Sequence, residues 1–154
     1  DKKVWMFDTF EGMTAPSDVD LIAKTKVSAN SKYSRVKNNW CYASLEDVKN
    51  NCLVSQLDLE FFKFIKGDVL ETLLLDMNIP EKICVLRLDT DWYESTKLEL
   101  EVLYPILSNH GVLIVDDYGH WEGSRKAVDE YFLNSSFKPL LNVVDYSCRN
   151  LIKV

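Results

Sequence analysis

The sequence predicts an α/β fold, doubly wound around a mainly parallel sheet that closes with a C-terminal antiparallel hairpin. Three observations predict it. Short apolar runs alternate with helix-like stretches over most of the 154 residues. Runs such as ICVLRL and GVLIV are near-continuously apolar, as strands buried on both faces are, rather than alternating. The last sixteen residues carry two strand-like pieces, PLLNVVDY and RNLIKV, close enough to pair. With 47% hydrophobic residues the chain supports one compact core and not two, so residues 1–154 are expected to form one domain.

A first strand is expected at Val4 to Phe7, and the turn-rich DTFEGMTAPSD follows it. From Lys24 to Ser44 the chain carries Lys24, Lys26, Lys32, Arg35 and Lys37 and no acid. Such a segment is either a basic lid over a polar or anionic ligand or a solvated connecting loop, and composition favours the loop. Ser44 and Asp47 resemble a capping box ahead of a helix running to about Gln56. Phe61 to Ile65 is expected as a second strand ended by Gly67, and Asp68 to Met77 as a helix before Pro80. ICVLRLD gives a third strand. Glu94 to Asn109 has a broad apolar helical face through Leu98, Val102, Leu103, Ile106 and Leu107, with a kink expected at Pro105. GVLIVDD is a fourth strand, and Trp121 to Leu133 a helix that turns Ala127, Val128, Tyr131 and Phe132 to the sheet.

A net charge of −6 and an isoelectric point near 4.9 argue against nucleic acid as a partner, because neutralising phosphates needs a basic face. No run is long enough to span a membrane and no signal peptide is visible. Cys41, Cys52, Cys84 and Cys148 form no C-x-x-C pair and have no histidine at ligand spacing, so they are expected to be reduced and mostly buried. That usage fits the cytoplasm. The opening DKKVWMF leads charges straight into a strand without an initiator Met, which suggests a fragment whose upstream part is missing.

The chemistry concentrates at two strand ends. Asp89 and Asp91 close the third strand, and Asp116 and Asp117 close the fourth. Parallel strands bring all four carboxylates to one rim of the sheet, where doubly wound folds bind ligands. Four negative charges in a half-buried crevice repel unless a cation sits among them. Oxygen donors with no thiolate suit Mg²⁺, Mn²⁺ or Ca²⁺ rather than zinc. Capping of the following helices would account for one such aspartate but poorly for paired acids on successive strands. Asp8 ends the first strand, where an acid holds ribose hydroxyls in nucleotide sites, and Asp68 follows Gly67 where an adenine edge would lie. His120, three residues past the acids, is a candidate for proton transfer or an ordinary loop residue. Trp92 and Tyr93 are read as packed rather than ligand-stacking.

VWMFDTFEGM, KGDVLETL, VLRLDTDWYEST and GVLIVDDYGHWEGSRKAVDEYF together resemble successive blocks of the macrocin O-methyltransferase family. These enzymes use S-adenosylmethionine to methylate sugar hydroxyls. The resemblance implies a Rossmann-like methyltransferase sheet, Mg²⁺ held by Asp89, Asp116 and Asp117, and Asp91 as general base. It implies that Asp8 binds the ribose of the cofactor and that Gly67 and Asp68 lie beside its adenine. A small-molecule acceptor, a sugar or glycosylated metabolite, would be the partner. The first strand and glycine-rich loop of the family have no counterpart among Gly12, Gly67, Gly111, Gly119 and Gly123. Sheet edges left open by that strand would favour a homo-oligomer. Two other readings stand beside this one. A haloacid-dehalogenase-like phosphatase would use Asp89 as nucleophile and Asp91 as acid, and a truncated, non-catalytic domain would bind only metal or a partner chain.

Overall fold

The computed structural model describes residues 2–36, 39–135 and 138–154, and its strands form two sheets. β1 (Val4–Asp8) and β2 (Phe62–Lys66) pair in parallel, with Val4 opposite Phe62 and Asp8 opposite Lys66. β3 (Ile83–Leu88), β4 (Leu107–Val115), β5 (Asn142–Val143) and β6 (Arg149–Ile152) form the second sheet in the order β3-β4-β6-β5. There β3 and β4 are parallel, while β6 is antiparallel to both β4 and β5. The α/β class and the closing hairpin are those the sequence predicts. The hairpin's first strand is shorter than PLLNVVDY suggests, and Leu140 and Val143 stand largely in solvent.

β1 and β3 do not pair among the described residues. A cavity of about 1150 Å³ lies between them, lined by Trp5, Phe7 and Asp8 on one side and Cys84, Leu86 and Asp89 on the other. The open edge corrects the expectation that the cysteines are mostly buried. Cys84 and its neighbour Val85 lie exposed in an apolar strand, Cys41 is exposed as well, and only Cys148 is buried; all four are free thiols.

The helices are α1 (Ala29–Val36), α2 (Leu45–Val54), α3 (Val69–Thr72), α4 (Tyr93–Leu103) and α5 (Glu122–Leu133). The main core joins Leu86, Leu88, Leu113 and Val115 of the sheet to Leu100 and Leu103 of α4 and Val128 and Phe132 of α5. A second cluster gathers Ala29, Trp40, Trp92 and Trp121. None of the helices among the described residues is long and apolar enough to cross a membrane.

Three elements depart from the sequence reading. The basic segment is not only a connecting loop, because α1 forms within it and buries Ala29 and Trp40 against the other tryptophans; Lys37 lies outside the described residues. The helix expected over Asp68 to Met77 stops at Thr72. The Asn78 side-chain amide donates to the Thr72 carbonyl at 3.0 Å and takes the acceptor that a continuing helix would use, and a single 3₁₀ turn follows at Asp76–Asn78. Pro105 ends α4 rather than kinking it, since it has no N–H to continue the ladder, and the chain enters β4 at Leu107. Near that entry the β3–β4 register shifts, and His110 sits there at φ 63°, its N–H on the Lys153 carbonyl.

The capping box on α2 forms as expected: Ser44 Oγ accepts from the Asp47 N–H at 3.1 Å, and the Asp47 carboxylate accepts from the Ser44 N–H. Ser44→Ala is expected to cost about 1 kcal/mol and to lower Tm by about 2–4 °C. Thermal unfolding followed by circular dichroism checks this, and an unchanged Tm would show that α2 is held from elsewhere.

Candidate active site

The parallel register places Leu88 opposite Val115, so the next residues of both strands, Asp89 and Asp116, emerge side by side. The Asp116 N–H donates to the Leu88 carbonyl at 3.0 Å and fixes that alignment. Oxygens of Asp89, Asp116 and Asp117 all lie within 4.8 Å of one another. Asp91 joins them from the turn after β3, its carboxyl standing close to that of Asp117 and to the Trp121 side chain. Asp91 sits in the left-handed region at φ 66°, an unfavourable conformation for a residue with a side chain. The turn is pinned on both sides of it, by the Trp92 N–H on the Thr90 carbonyl at 2.7 Å and by the Thr90 hydroxyl on Glu99 Oε2 at 2.9 Å.

Crowding sets the electrostatics. Burial, with Asp91 and Asp116 alongside, pushes the Asp117 carboxyl up to about 8. Burial pushes Asp89 up to about 6 against the opposing pull of Arg87. Burial also raises Asp91, offset by its hydrogen bonds to Asp117 and Trp121. Asp117 Oδ2 is buried and receives no hydrogen bond from any N–H or hydroxyl. An orphaned carboxylate oxygen among converging acids is the donor set of a hard divalent cation, so the residues fit the ion that the sequence calls for.

Asp8 and Asp68 lie elsewhere. Asp8, exposed at the end of β1, accepts from the Phe10 N–H and lines the cavity that Asp89 also lines. Gly67, at φ 142°, donates its N–H to the Asp8 carbonyl, and an added Cβ would come within 2.8 Å of Thr72. Asp68 caps α3 by accepting from the Leu70 N–H at 2.9 Å. The structure thus brings Asp8, Gly67 and Asp68 together at the ends of β1 and β2.

Several residues beside the acids escaped the sequence reading. Arg87 bonds Asp89 Oδ2 at 2.6 Å and pairs with Asp116 at 3.2 Å. Its signal was present, because residues two apart on a strand share a face. Trp40, Trp92 and Trp121 pack edge on edge, with ring centroids 5.1–6.1 Å apart, and make a dry wall beside Asp91. Trp92 also donates Nε1 to the Thr14 carbonyl, so it is packed as expected, and Tyr93 bonds Glu130. His120 stands edge-on to Trp121 and near enough to Asp117 to oppose its rise. Arg125 donates Nε to the Tyr118 carbonyl.

Glu99 is the least expected neighbour. The buried face of α4 is Ser95, Thr96, Glu99, Leu100 and Leu103, displaced from the apolar stripe read in the sequence. Burial pushes the Glu99 carboxyl up to about 8 from its ordinary 4.5. The fold then keeps a proton that the unfolded chain releases, so this group's contribution is full at low pH and is lost as pH rises towards 8. Glu99→Gln retains an acceptor for Thr90 and is expected to remove part of the fall in Tm between about pH 5 and pH 8. Thermal melts in chelator test this: equal losses in both proteins would place the pH dependence on other groups.

The chain matches the macrocin-O-methyltransferase (TylF) family over residues 1–151. It is 34% identical over 134 residues to demethyldecarbamoylnovobiocin O-methyltransferase of Streptomyces niveus, covering 85% of this chain and 47% of that protein. It is 33% identical over 131 residues to 8-demethyl-8-(2,3-dimethoxy-alpha-L-rhamnosyl)-tetracenomycin-C 4'-O-methyltransferase of Streptomyces olivaceus, covering 84% and 47%. The solved structure of the O-methyltransferase NovP superposes with a TM-score of 0.81 at 31% identity, over 99% of this chain and 60% of that one. The chain spans about half the length of the curated relatives it matches.

Proposed function

The chain belongs to the macrocin O-methyltransferase family, and from that premise we propose that the whole protein methylates a hydroxyl of a sugar or related small molecule. In this reading Asp89, Asp116 and Asp117 hold a divalent cation, Mg²⁺ or else Mn²⁺ or Ca²⁺, and Asp91 is the general base. The observation that carries it is the convergence of four carboxylates at two adjoining strand ends, with the buried Asp117 Oδ2 lacking any donor. The relatives' names point the same way, one to a rhamnosyl tetracenomycin and one to demethyldecarbamoylnovobiocin. Family membership favours methyl transfer over the phosphatase reading.

S-adenosylmethionine supplies the electrophilic methyl carbon, and the cation lowers the cost of negative charge on the attacking oxygen. The chain's own residues do the rest. Asp91, made more basic by burial, takes the acceptor's hydroxyl proton, and the Trp121 side chain beside it eases its negative charge. The oxygen so deprotonated is the nucleophile for the methyl group that S-adenosylmethionine would supply when bound, with S-adenosylhomocysteine as the leaving group. The tryptophan wall keeps water from competing for Asp91.

Asp8 is assigned to the cofactor ribose and Gly67 and Asp68 to the adenine side. Their support is that Asp8 lines the cavity between β1 and β3 and that the Gly67 N–H, next to Asp68 in the chain, donates to the Asp8 carbonyl. To that cavity we also assign the strand and glycine-rich loop that the family resemblance implies. Residues 1–154 alone are therefore expected to bind S-adenosylhomocysteine poorly. Titration calorimetry tests this, and tight stoichiometric binding would overturn it.

Methyl transfer from labelled S-adenosylmethionine to glycosylated acceptors tests the main reading. Activity of the whole protein is expected to vanish in EDTA and return with Mg²⁺. Transfer undiminished by EDTA would remove the cation from the assignment.

A further inference from the structure

Asp20 is completely buried, yet it belongs to neither acidic strand end. Its Oδ2 accepts from the Ser17 N–H and the Ser17 hydroxyl, both at 2.7 Å, and its Oδ1 accepts from the Tyr93 N–H at 2.9 Å. Tyr93 is the first residue of α4, two positions after Asp91, and the residue before it gives that helix no side-chain cap. Asp20 supplies the missing acceptor from a distant part of the chain.

The same carboxylate touches the other acidic loop. Gly123, near the start of α5, leaves no room for a side chain: an added Cβ would lie 1.8 Å from Asp20 Oδ1 and 3.0 Å from the Tyr93 nitrogen. Residues around Asp20 are also stitched to this loop by backbone bonds. The Glu122 N–H donates to the Leu21 carbonyl and the Ala23 N–H to the His120 carbonyl, both at 2.8 Å, and Ile22 bridges Trp121. The segment after β1, the start of α4 and the start of α5 therefore meet at one carboxylate with nothing between them.

We propose that Asp20 is a positioning residue which, seated against Gly123, sets the separation of Asp91 from Asp117. Asp91 lies two residues upstream of one contact and Asp117 six residues upstream of the other, so a shift at Asp20 moves both carboxylates. The Asp91 turn is held at an unfavourable φ and relaxes when its anchor at Tyr93 is removed. This rests on the roles proposed above for Asp91 and Asp117.

Gly123→Ala in the whole protein is the leading test, because alanine ordinarily stabilises a helix and here pushes Asp20 off Tyr93. The expected result is a roughly 10- to 100-fold fall in kcat, with KM little changed and the pH profile of kcat displaced. Asp20→Asn, which keeps one acceptor, is expected to be milder than Asp20→Ala. Ser17→Ala removes a single hydroxyl contact, and if the others fail to fold its smaller fall in kcat decides. A higher Tm for Gly123→Ala with kcat and pH profile unchanged would overturn the proposal, as would a Ser17→Ala protein with unaltered kcat. Asp91→Asn is measured in parallel. If it is fully active, the role of Asp91 fails and the positioning role with it; if it is inactive while Gly123→Ala is normal, the positioning role alone fails.

Discussion

Asp117→Asn in the whole protein is expected to abolish tight Mn²⁺ binding and to lower kcat by roughly 10³-fold, the several kcal/mol that a cation contributes beside developing negative charge. Asp117 carries this effect because of where its oxygen lies. Oδ2 is buried without a donor, so the metal-free fold leaves it uncompensated, and a cation is the partner whose charge and oxygen preference suit it. Asparagine replaces the anion with a neutral amide and leaves the volume unchanged. The loss therefore reports the charge rather than packing.

The same substitution is expected to move stability in the opposite direction. In the absence of metal the carboxyls of Asp89, Asp91, Asp116 and Asp117 crowd one another, and burial with that crowding pushes Asp117 up to about 8. The folded chain thus holds a proton that the unfolded chain gives up, and its stability falls as pH rises from the ordinary carboxylate range towards 8. Asp117→Asn removes that group from the balance, so in EDTA near pH 8 the variant should melt above the parent. Loss of function with gain of stability is the mark of a site built for a ligand. Equal Mn²⁺ affinity in parent and variant, by calorimetry, would take Asp117 out of the cation site.

The acidic rim was legible in the sequence because it depends on local facts. An apolar strand ending in D-x-D, another ending in D-D, and parallel pairing between them suffice to bring Asp89, Asp116 and Asp117 within 4.8 Å. The α2 cap was legible for the same reason, as Ser44 and Asp47 are three residues apart. What escaped depends on distance along the chain. Asp20 meets Tyr93 across 73 residues, and no spacing rule connects a turn-rich loop to the start of a later helix. Glu99 escaped because a charged residue on a helix is ordinarily read as solvent-facing, whereas here Thr90 satisfies it in the interior. The short α3 escaped because its stop is a side chain six residues on, Asn78, rather than a glycine or proline at the boundary.

Asp91→Asn is expected to lower kcat by about 10²–10⁴-fold while Mn²⁺ affinity stays near that of the parent, the range over which a positioned general base contributes. The substitution is unusually clean at this position. Asp91 sits at φ 66°, a conformation that asparagine tolerates as well as aspartate does, so the turn has no reason to move. Asparagine keeps the shape of the side chain and one carbonyl oxygen, and what disappears is the capacity to take a proton. The basic residue lost is one whose pKa burial raises, so the parent's kcat should climb with pH on the acid side and the variant's should lose that limb. Were Asp91→Asn to retain both turnover and that limb, the proton would be leaving by another route. His120, beside Asp117 and edge-on to Trp121, is then the group to replace next.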